Sequence, residues 1–553
     1  MISRRNFLRN SSIVAASSLS FPAVAKTAGG FNAKPGQRPR HIIHMVADGM
    51  SLGTLTCADY FSRRLRGRGL TWLQLQANPK VYSGLMNMRS LNSIVTDSSA
   101  ASSSWGCGAR IINGVVNQRG NGDSLTTLYQ LFAQAAWKRA LVTTTEITHA
   151  TPAGFAANAE SRDHADKIAL QYIERKVDLL LGGGYKFFDR KERKDKRDLF
   201  GQAAREGYYT MRSLDELKTA PTDQRWLGVF DKGHLPFTID QRESYTRQMR
   251  VPTLATMTSA ALKWLERHPH FILQVEGGRV DHACHNCDGV TAMHEQVAFD
   301  EAIDVCLEFQ QRVPDTLIVI TTDHGNANLG LNGMGSGYGQ STWLFNNALR
   351  VRKSFAELLD LLRKSEKTKI ADLPAKEKKA YEMNPAAHPH DIKAEEAKDD
   401  EKDEDEEEKK KKREAKEKDV ILVKSQKEII EVIEHWTGYK VSPKKADMLA
   451  PFLSKKGDTL YDVLKADVAG LGHLMANHVG IGFTGNAHTA DYVAINAVGP
   501  GAEKFGGFVE NTDVFYHYLN FGKIDFRNPT EPLITESDPA AEKVEPIEEY
   551  KLA

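Results

Sequence analysis

The stretch Phe271-Ile272-Leu273-Gln274-Val275-Glu276-Gly277-Gly278-Arg279-Val280-Asp281-His282-Ala283-Cys284-His285-Asn286-Cys287 decides how this chain is built. Phe271 to Val275 is a short apolar run, with a His/Pro cluster before it and Gly277-Gly278 soon after. That pattern reads as a strand of a parallel sheet, buried on both faces. Just past its carboxyl end stand Glu276, Asp281, His282 and His285. In open α/β sheets the ligand crevice lies outside the carboxyl ends of the strands. Asp281 and His285 are four apart, so one helical turn puts both on the same face. Carboxylate and imidazole on one face, with more of each nearby, outline a first-row metal site. A polar loop with a satisfied histidine would read the same way, and what separates the two is recurrence of the pattern elsewhere.

It recurs. His41 to Ala47 is an apolar run that ends at Asp48-Gly49-Met50. Ala140 to Thr144 leads to His149-Ala150-Thr151-Pro152-Ala153 and then to Ala159-Glu160-Ser161-Arg162-Asp163. Thr316 to Thr322 is β-branched and ends at Asp323-His324-Gly325, and Gly485-Asn486-Ala487-His488-Thr489 precedes a run from Tyr492 to Ala497. Val177 to Leu181, before Gly182-Gly183-Gly184, reads as scaffold. The expected fold is α/β, a central and mostly parallel sheet flanked by helices. Ser93 to Thr96 leads into Asp97-Ser98-Ser99-Ala100-Ala101-Ser102-Ser103-Ser104, whose small residues suit a tight turn into a closely packed helix. A serine at that helix N-terminus would sit where phosphate binds well.

At these residues a resemblance becomes plain. Val95-Thr96-Asp97-Ser98-Ser99-Ala100-Ala101 resembles the nucleophile segment of the alkaline phosphatase family, and Asp48-Gly49-Met50 resembles its first metal-ligand segment. Glu276 to His285 is similar to that family's E-G-x-x-x-D-x-x-x-H pattern, and the remaining motifs follow in the family's order. The resemblance runs from about His41 to Asn520, an insert excepted. It implies hydrolysis of phosphate monoesters through a phosphoserine on Ser98, with Arg162 binding the phosphate and Asp97 orienting Arg162. It implies two zinc ions, one on Asp281, His285 and His488 and one on Asp48, Asp323 and His324, the second also holding Ser98. It implies one magnesium ion on Asp48, Thr151 and Glu276.

Two positions that vary within the family are both histidine here, His149 and His282. We place both around the metal ligands rather than among them. Imidazole favours zinc or cobalt over magnesium, so His149 leaves the third ion's identity open. The pair is expected to loosen product phosphate. Sulfatase chemistry needs a C/S-x-P-x-R motif, and Ser98 is followed by Ser99-Ala100-Ala101-Ser102 instead. The alternatives left are a phosphodiesterase of the same superfamily and a periplasmic metal- or phosphate-binding protein without catalysis.

Composition bounds the rest. The 553 residues carry 73 Lys+Arg and 72 Asp+Glu, a net charge of +1, so no basic field argues for nucleic acid. Five cysteines are too few for a disulfide scaffold. Cys284 and Cys287 flank His285, and read as an ordinary pair, bonded or free. Ser3-Arg4-Arg5-Asn6-Phe7-Leu8-Arg9, an apolar run from Ile13 to Phe21 and Ala23-Val24-Ala25 resemble a twin-arginine export signal over residues 1–30. That predicts a periplasmic or secreted protein with no membrane anchor once the signal is removed. The core is expected over 38–363 and 481–527, with an insert at 364–480 and a surface tail at 528–553. The insert is charge-rich to about 419, solvated or flexible, and then a small helical subdomain opened by the capping box Ser425-Gln426-Lys427-Glu428. Expected partners are small phosphomonoesters and, by family habit, a second copy of the chain.

Overall fold

The computed structural model describes residues 37–333, 335–369, 390–391, 419–455 and 468–533. The expected signal segment, most of the charged insert and residues 534–553 lie outside the described residues. Ten strands form the central sheet: β1 (His41–Val46), β2 (Tyr82–Asn87), β3 (Lys138–Glu146), β4 (Leu179–Gly183), β5 (Tyr208–Met211), β6 (Arg225–Val229), β7 (Phe271–Glu276), β8 (Thr316–Thr321), β9 (Val493–Val498) and β10 (Gly507–Glu510). Their order across the sheet is β10-β2-β9-β8-β1-β7-β3-β4-β6-β5. From β8 to β5 every pairing is parallel, and β9 alone runs against both of its neighbours.

The central strands are apolar on both faces because helices cover both. Ile43, Met45, Leu273, Val275, Ile318 and Ile320 enter one buried cluster, and Ile42, Val46, Ile272, Leu317 and Val319 the other. Alternation along a strand sends neighbours to opposite faces, so a continuous apolar run serves two cores. Register places the site: Val46 lies level with Glu276 of β7 and with Thr321 of β8. Asp48 and Asp323 therefore leave adjacent strands at the same height, beside Glu276.

Two helices complete the floor of the crevice, α1 (Ser98–Cys107) and α2 (Ala150–Ala156). Every residue of both is buried. They meet through glycine: a Cβ on Gly106 would lie 1.8 Å from the Gly154 carbonyl oxygen, and one on Gly154 would lie 2.4 Å from Ser102 Oγ. The small residues after Ser98 thus permit two backbones to touch.

The insert and tail depart from expectation at a few of their described positions. Arg363–Lys369 and His390–Asp391 pair with Asp419–Val423 in a small antiparallel sheet, so the borders of the charged stretch are strand. Val420-Ile421-Leu422-Val423 is rich in β-branched residues that favour this state. The capping box on Ser425 forms, and Ile429 and Ile433 of the helix it opens join the same buried cluster as Ile43 and Met45. Asn528 is buried rather than on the surface. Its amide donates to the carbonyls of Cys107 and Thr126, both at 2.8 Å, which satisfies an orphan oxygen at the end of α1. No helix among the described residues is long and apolar enough to cross a membrane.

The α1–α2 contact generates a stability prediction. Gly106→Ala should destabilise the protein by about 1–3 kcal/mol, the usual range for an overpacked core, when followed by urea unfolding. Gly339→Ala, at a site with nothing within 4 Å, should be close to neutral and serves as the control.

Candidate active site

Ser98 is the first residue of α1 and Asp97 is its N-cap. Asp97 accepts hydrogen bonds from the Ala100 amide at 2.9 Å, the Gly114 amide at 3.0 Å and Ser99 Oγ at 2.6 Å. Its Oδ2 lies 3.2 Å from Arg162 Nη1. Burial works against the Asp97 charge, but Arg162 and these donors hold its carboxyl below the usual range. The guanidinium is thereby fixed at the mouth of the crevice. Ser98 Oγ is buried and 3.1 Å from His324 Nε2.

Four buried carboxylates, Asp48, Glu276, Asp281 and Asp323, face one another at the strand ends. Asp48 enters through Gly49, whose φ of +70° suits glycine and where a Cβ would lie 2.3 Å from Asp281 Oδ1. Burial, and then the charges of Asp323, Asp281 and Glu276, push the Asp48 carboxyl well above the usual range. Burial and Asp281 push Asp323 up to about 7. Burial opposes the Asp281 charge too, but His285, His488 and His324 bring its carboxyl well down.

Three sets of side chains bring potential ligand atoms within 4.8 Å of one another: Asp281, His324 and His488; Asp48, Asp323 and His324; and Asp48, His149 and Glu276. His285 belongs with the first set. Its Nε2 lies 3.2 Å from Asp281 Oδ2 and 3.2 Å from His488 Nε2. Thr151 Oγ1 reaches Asp48 Oδ2 at 3.5 Å, beside the third set. Asp48 Oδ1, Asp323 Oδ2 and Glu276 Oε1 are buried without a hydrogen-bond partner. Buried anionic oxygens without donors are costly, and a divalent cation resolves them. The donor sets fit metal ions.

Hydrogen bonds fix the imidazole tautomers. His285 Nδ1 donates to the Asn486 carbonyl at 2.6 Å, His488 Nδ1 to the Thr96 carbonyl at 2.9 Å and His324 Nδ1 to the Gly325 carbonyl at 3.3 Å. A carbonyl only accepts, so in its neutral form each ring presents an Nε2 lone pair, the form that binds metal. Burial works against a charge on His285, but Asp281 raises its pKa, so a metal ion there displaces a proton more readily held. Burial lowers His324 to about 4 and His488 to about 3, which keeps both neutral. His149 differs. Arg162 Nη2 can only donate, at 3.3 Å, to its Nε2, so its proton sits on Nδ1, 3.7 Å from Glu276 Oε1 and 3.9 Å from Asp48 Oδ2.

Every candidate residue read from the sequence lies at this crevice, which opens into a cavity of about 280 Å³ lined by His149, Arg162, Asp281, His282, His285 and His488 among others. Sequence reading missed the residues that hold these in place. Asn326 donates to Asp281 Oδ1 at 2.6 Å, Thr143 and Thr145 both donate to Glu276 Oε2, and Arg279 donates to His282 Nδ1 at 2.7 Å. Arg279 itself stacks on Phe237 at 3.7 Å. His234 also lines the cavity. Asn326 and Arg279 stand within or beside motifs already singled out, and that adjacency was the available signal; His234 stands alone in its loop. All five cysteines are free and buried, Cys284 and Cys287 included.

Comparison with known proteins agrees with this geometry. The alkaline phosphatase family profile matches residues 39–524. Alkaline phosphatase 4 of Bacillus subtilis is 27% identical over 504 residues, covering 88% of this chain and 89% of that protein. Alkaline phosphatase 3 of the same species is 35% identical over 250 residues, covering 43% of this chain and 52% of that protein. The crystal structure of Thermus thermophilus alkaline phosphatase aligns with a TM-score of 0.75 at 29% identity, over 93% of this chain and 97% of that one. With the family profile spanning most of the chain, and the fold and crevice in accord with it, this protein is a metal-binding phosphatase that belongs to the alkaline phosphatase family.

Proposed function

We propose that the protein hydrolyses small phosphate monoesters through a phosphoserine on Ser98, aided by two zinc ions and one magnesium ion. The observation that carries this reading is the placement of Ser98 Oγ, at a helix N-terminus, 3.1 Å from His324 Nε2 and beside the Asp97–Arg162 pair. Arg162 would take two oxygens of the phosphoryl group through its planar fork, held in orientation by Asp97. Ser98 Oγ would attack phosphorus in line as the ester oxygen leaves. Water would then attack the phosphoserine and return Ser98 with release of inorganic phosphate. Asp281, His285 and His488 would hold one zinc, and Asp48, Asp323 and His324 the other. Bound there, divalent ions supply positive charge to the serine oxygen, the leaving oxygen and the attacking water. Asp48, Thr151 and Glu276 form an oxygen set that suits magnesium. The Nδ1 proton of His149 faces those oxygens, which favours a supporting role for that ring over ligation. The twin-arginine-like segment supports export to the periplasm or beyond.

The decisive experiment is p-nitrophenyl phosphate hydrolysis by the mature protein at about pH 8, with chelation and with zinc and magnesium readdition. Chelation should remove activity and the metals should restore it, while Ser98→Ala should lower kcat by on the order of 10³-fold or more. Acid quenching in mid-turnover should trap phosphate on the peptide containing Ser98. A fully metallated protein that cleaves bis-p-nitrophenyl phosphate in preference would move the reading to a diesterase.

Metal affinity should depend on pH with a definite sign. In the ion-free protein Asp48 and Asp323 hold protons to unusually high pH, Asp323 to about 7. Both must ionise to ligate, so binding expels protons below that pH and affinity rises as pH rises. Zinc added to chelated enzyme at about pH 6 should acidify a weakly buffered solution, and the release should shrink towards about pH 8.

His282→Lys should lower kcat and tighten inhibition by inorganic phosphate, since it replaces a neutral ring with a cation facing the anionic product. Unchanged phosphate inhibition in that variant would remove His282 from product release.

A further inference from the structure

His149 aside, the imidazoles that line the cavity fall into two classes, and one residue in the second class has no part in the reading above. His285 and His488 donate through Nδ1 to backbone carbonyls, so their neutral, metal-binding forms present Nε2 lone pairs. His234 and His282 are the reverse. The backbone amide of Glu146 donates to His234 Nδ1 at 3.0 Å, and Arg279 Nη1 donates to His282 Nδ1 at 2.7 Å. An amide and a guanidinium can only donate, so both Nδ1 atoms accept and both protons sit on Nε2. Neither Nε2 has a hydrogen-bond partner among the described residues, nor is either among the sealed, unpartnered atoms. The two rings meet edge to face at 4.5 Å, and both border the cavity. Each therefore offers it an N–H donor and no lone pair, which suits an anion and not a metal ion.

His234 is built into this position. Its loop is tied to the carboxyl ends of two sheet strands. The Gly184 amide donates to the carbonyls of Asp231 at 3.0 Å and Gly233 at 2.7 Å, and the Leu235 amide donates to the Thr144 carbonyl at 3.0 Å. The approach is so close that a Cβ on Gly183 would lie 2.1 Å from the Gly233 carbonyl oxygen. The ring also lies 5.8 Å, centre to centre, from His149, whose Nε2 meets Arg162. A side chain fixed from both sides with one free donor is the arrangement expected of a preorganised binding group.

We propose that His234 is a phosphate-binding residue of this cavity. It donates Nε2–H to an oxygen of the bound phosphoryl group, directly or through one water, alongside His282. The inference rests on the phosphatase reading of the site. Because the ring is neutral in this tautomer, it adds a directed donor to the anion's surroundings without adding a positive charge.

The test is equilibrium binding of inorganic phosphate to the zinc- and magnesium-loaded protein, with and without His234→Asn. Asparagine can keep an acceptor for the Glu146 amide while removing the Nε2–H. Phosphate binding should weaken about three- to tenfold, the range for one neutral hydrogen bond, and KM for p-nitrophenyl phosphate should rise in parallel. Metal content and melting temperature should stay as they were. Phosphate binding unchanged in the variant would overturn the proposal. So would a loss of binding accompanied by loss of metal or of melting temperature, since the ring would then be structural. If the unaltered, metal-loaded protein neither binds phosphate nor hydrolyses the ester, the phosphatase reading falls and this inference falls with it. If the unaltered protein does both and the variant matches it, this inference alone fails.

Discussion

Everything at the site follows from four carboxylates buried within reach of one another at the ends of β1, β7 and β8. Two like charges 4 Å apart repel by about 4 kcal/mol even with substantial screening. Asp48 and Asp323 are costly to ionise together there without cations. The ion-free protein answers by holding protons on Asp48 and Asp323 to unusually high pH, Asp323 to about 7, and by leaving carboxylate oxygens of Asp48, Asp323 and Glu276 without donors. Such a cluster is a liability to folding and an asset to metal binding, because the repulsion that raises the carboxyl pKa values is what a divalent ion relieves.

Around the carboxylates, hydrogen bonds to the backbone decide what each histidine can do. Carbonyls at Asn486, Thr96 and Gly325 turn the Nε2 lone pairs of neutral His285, His488 and His324 inward. Donors from Glu146 and Arg279 turn protons, not lone pairs, into the cavity from His234 and His282. The same side chain can thus offer a lone pair or a proton within one pocket, and the selector is whether its Nδ1 meets an oxygen or an N–H. The proposed nucleophile depends on a different constraint. Ser98 is held at the crevice floor because α1 and α2 approach through Gly106 and Gly154, closer than any larger residue allows.

Much of this was legible in the sequence, for physical reasons that can be named. A strand buried on both faces must be apolar throughout, so β1, β7 and β8 announce themselves. A charged residue directly after such a run must stand at a strand end. The edge of the sheet was less visible. β2 and β10 carry exposed residues, Tyr82, Leu85 and Phe508 among them, and lack the continuous apolar signal of a central strand. The antiparallel direction of β9 left no mark on its composition, because a strand between two neighbours buries the same residues whichever way it runs. The borders of the charged insert read as solvated, yet pair as strands because Val420 to Val423 supplies a partner.

By itself the sequence determined the fold class and the strand-end residues that gather at the crevice, because periodicity and strand-end placement are local properties of the chain. Family resemblance in the motifs supplied the roles expected of those residues. Only the tertiary structure decided which histidines present lone pairs and which present protons, since that depends on partners such as Asn486 for His285 and Glu146 for His234, 201 and 88 residues away. It alone brought His488 against His324, by pairing His488–Thr489 with Gly325–Asn326 across the insert. It alone placed His234 in the cavity, because the loop that carries it is held by strands from other parts of the chain, and no local pattern encodes a hydrogen bond made over that distance.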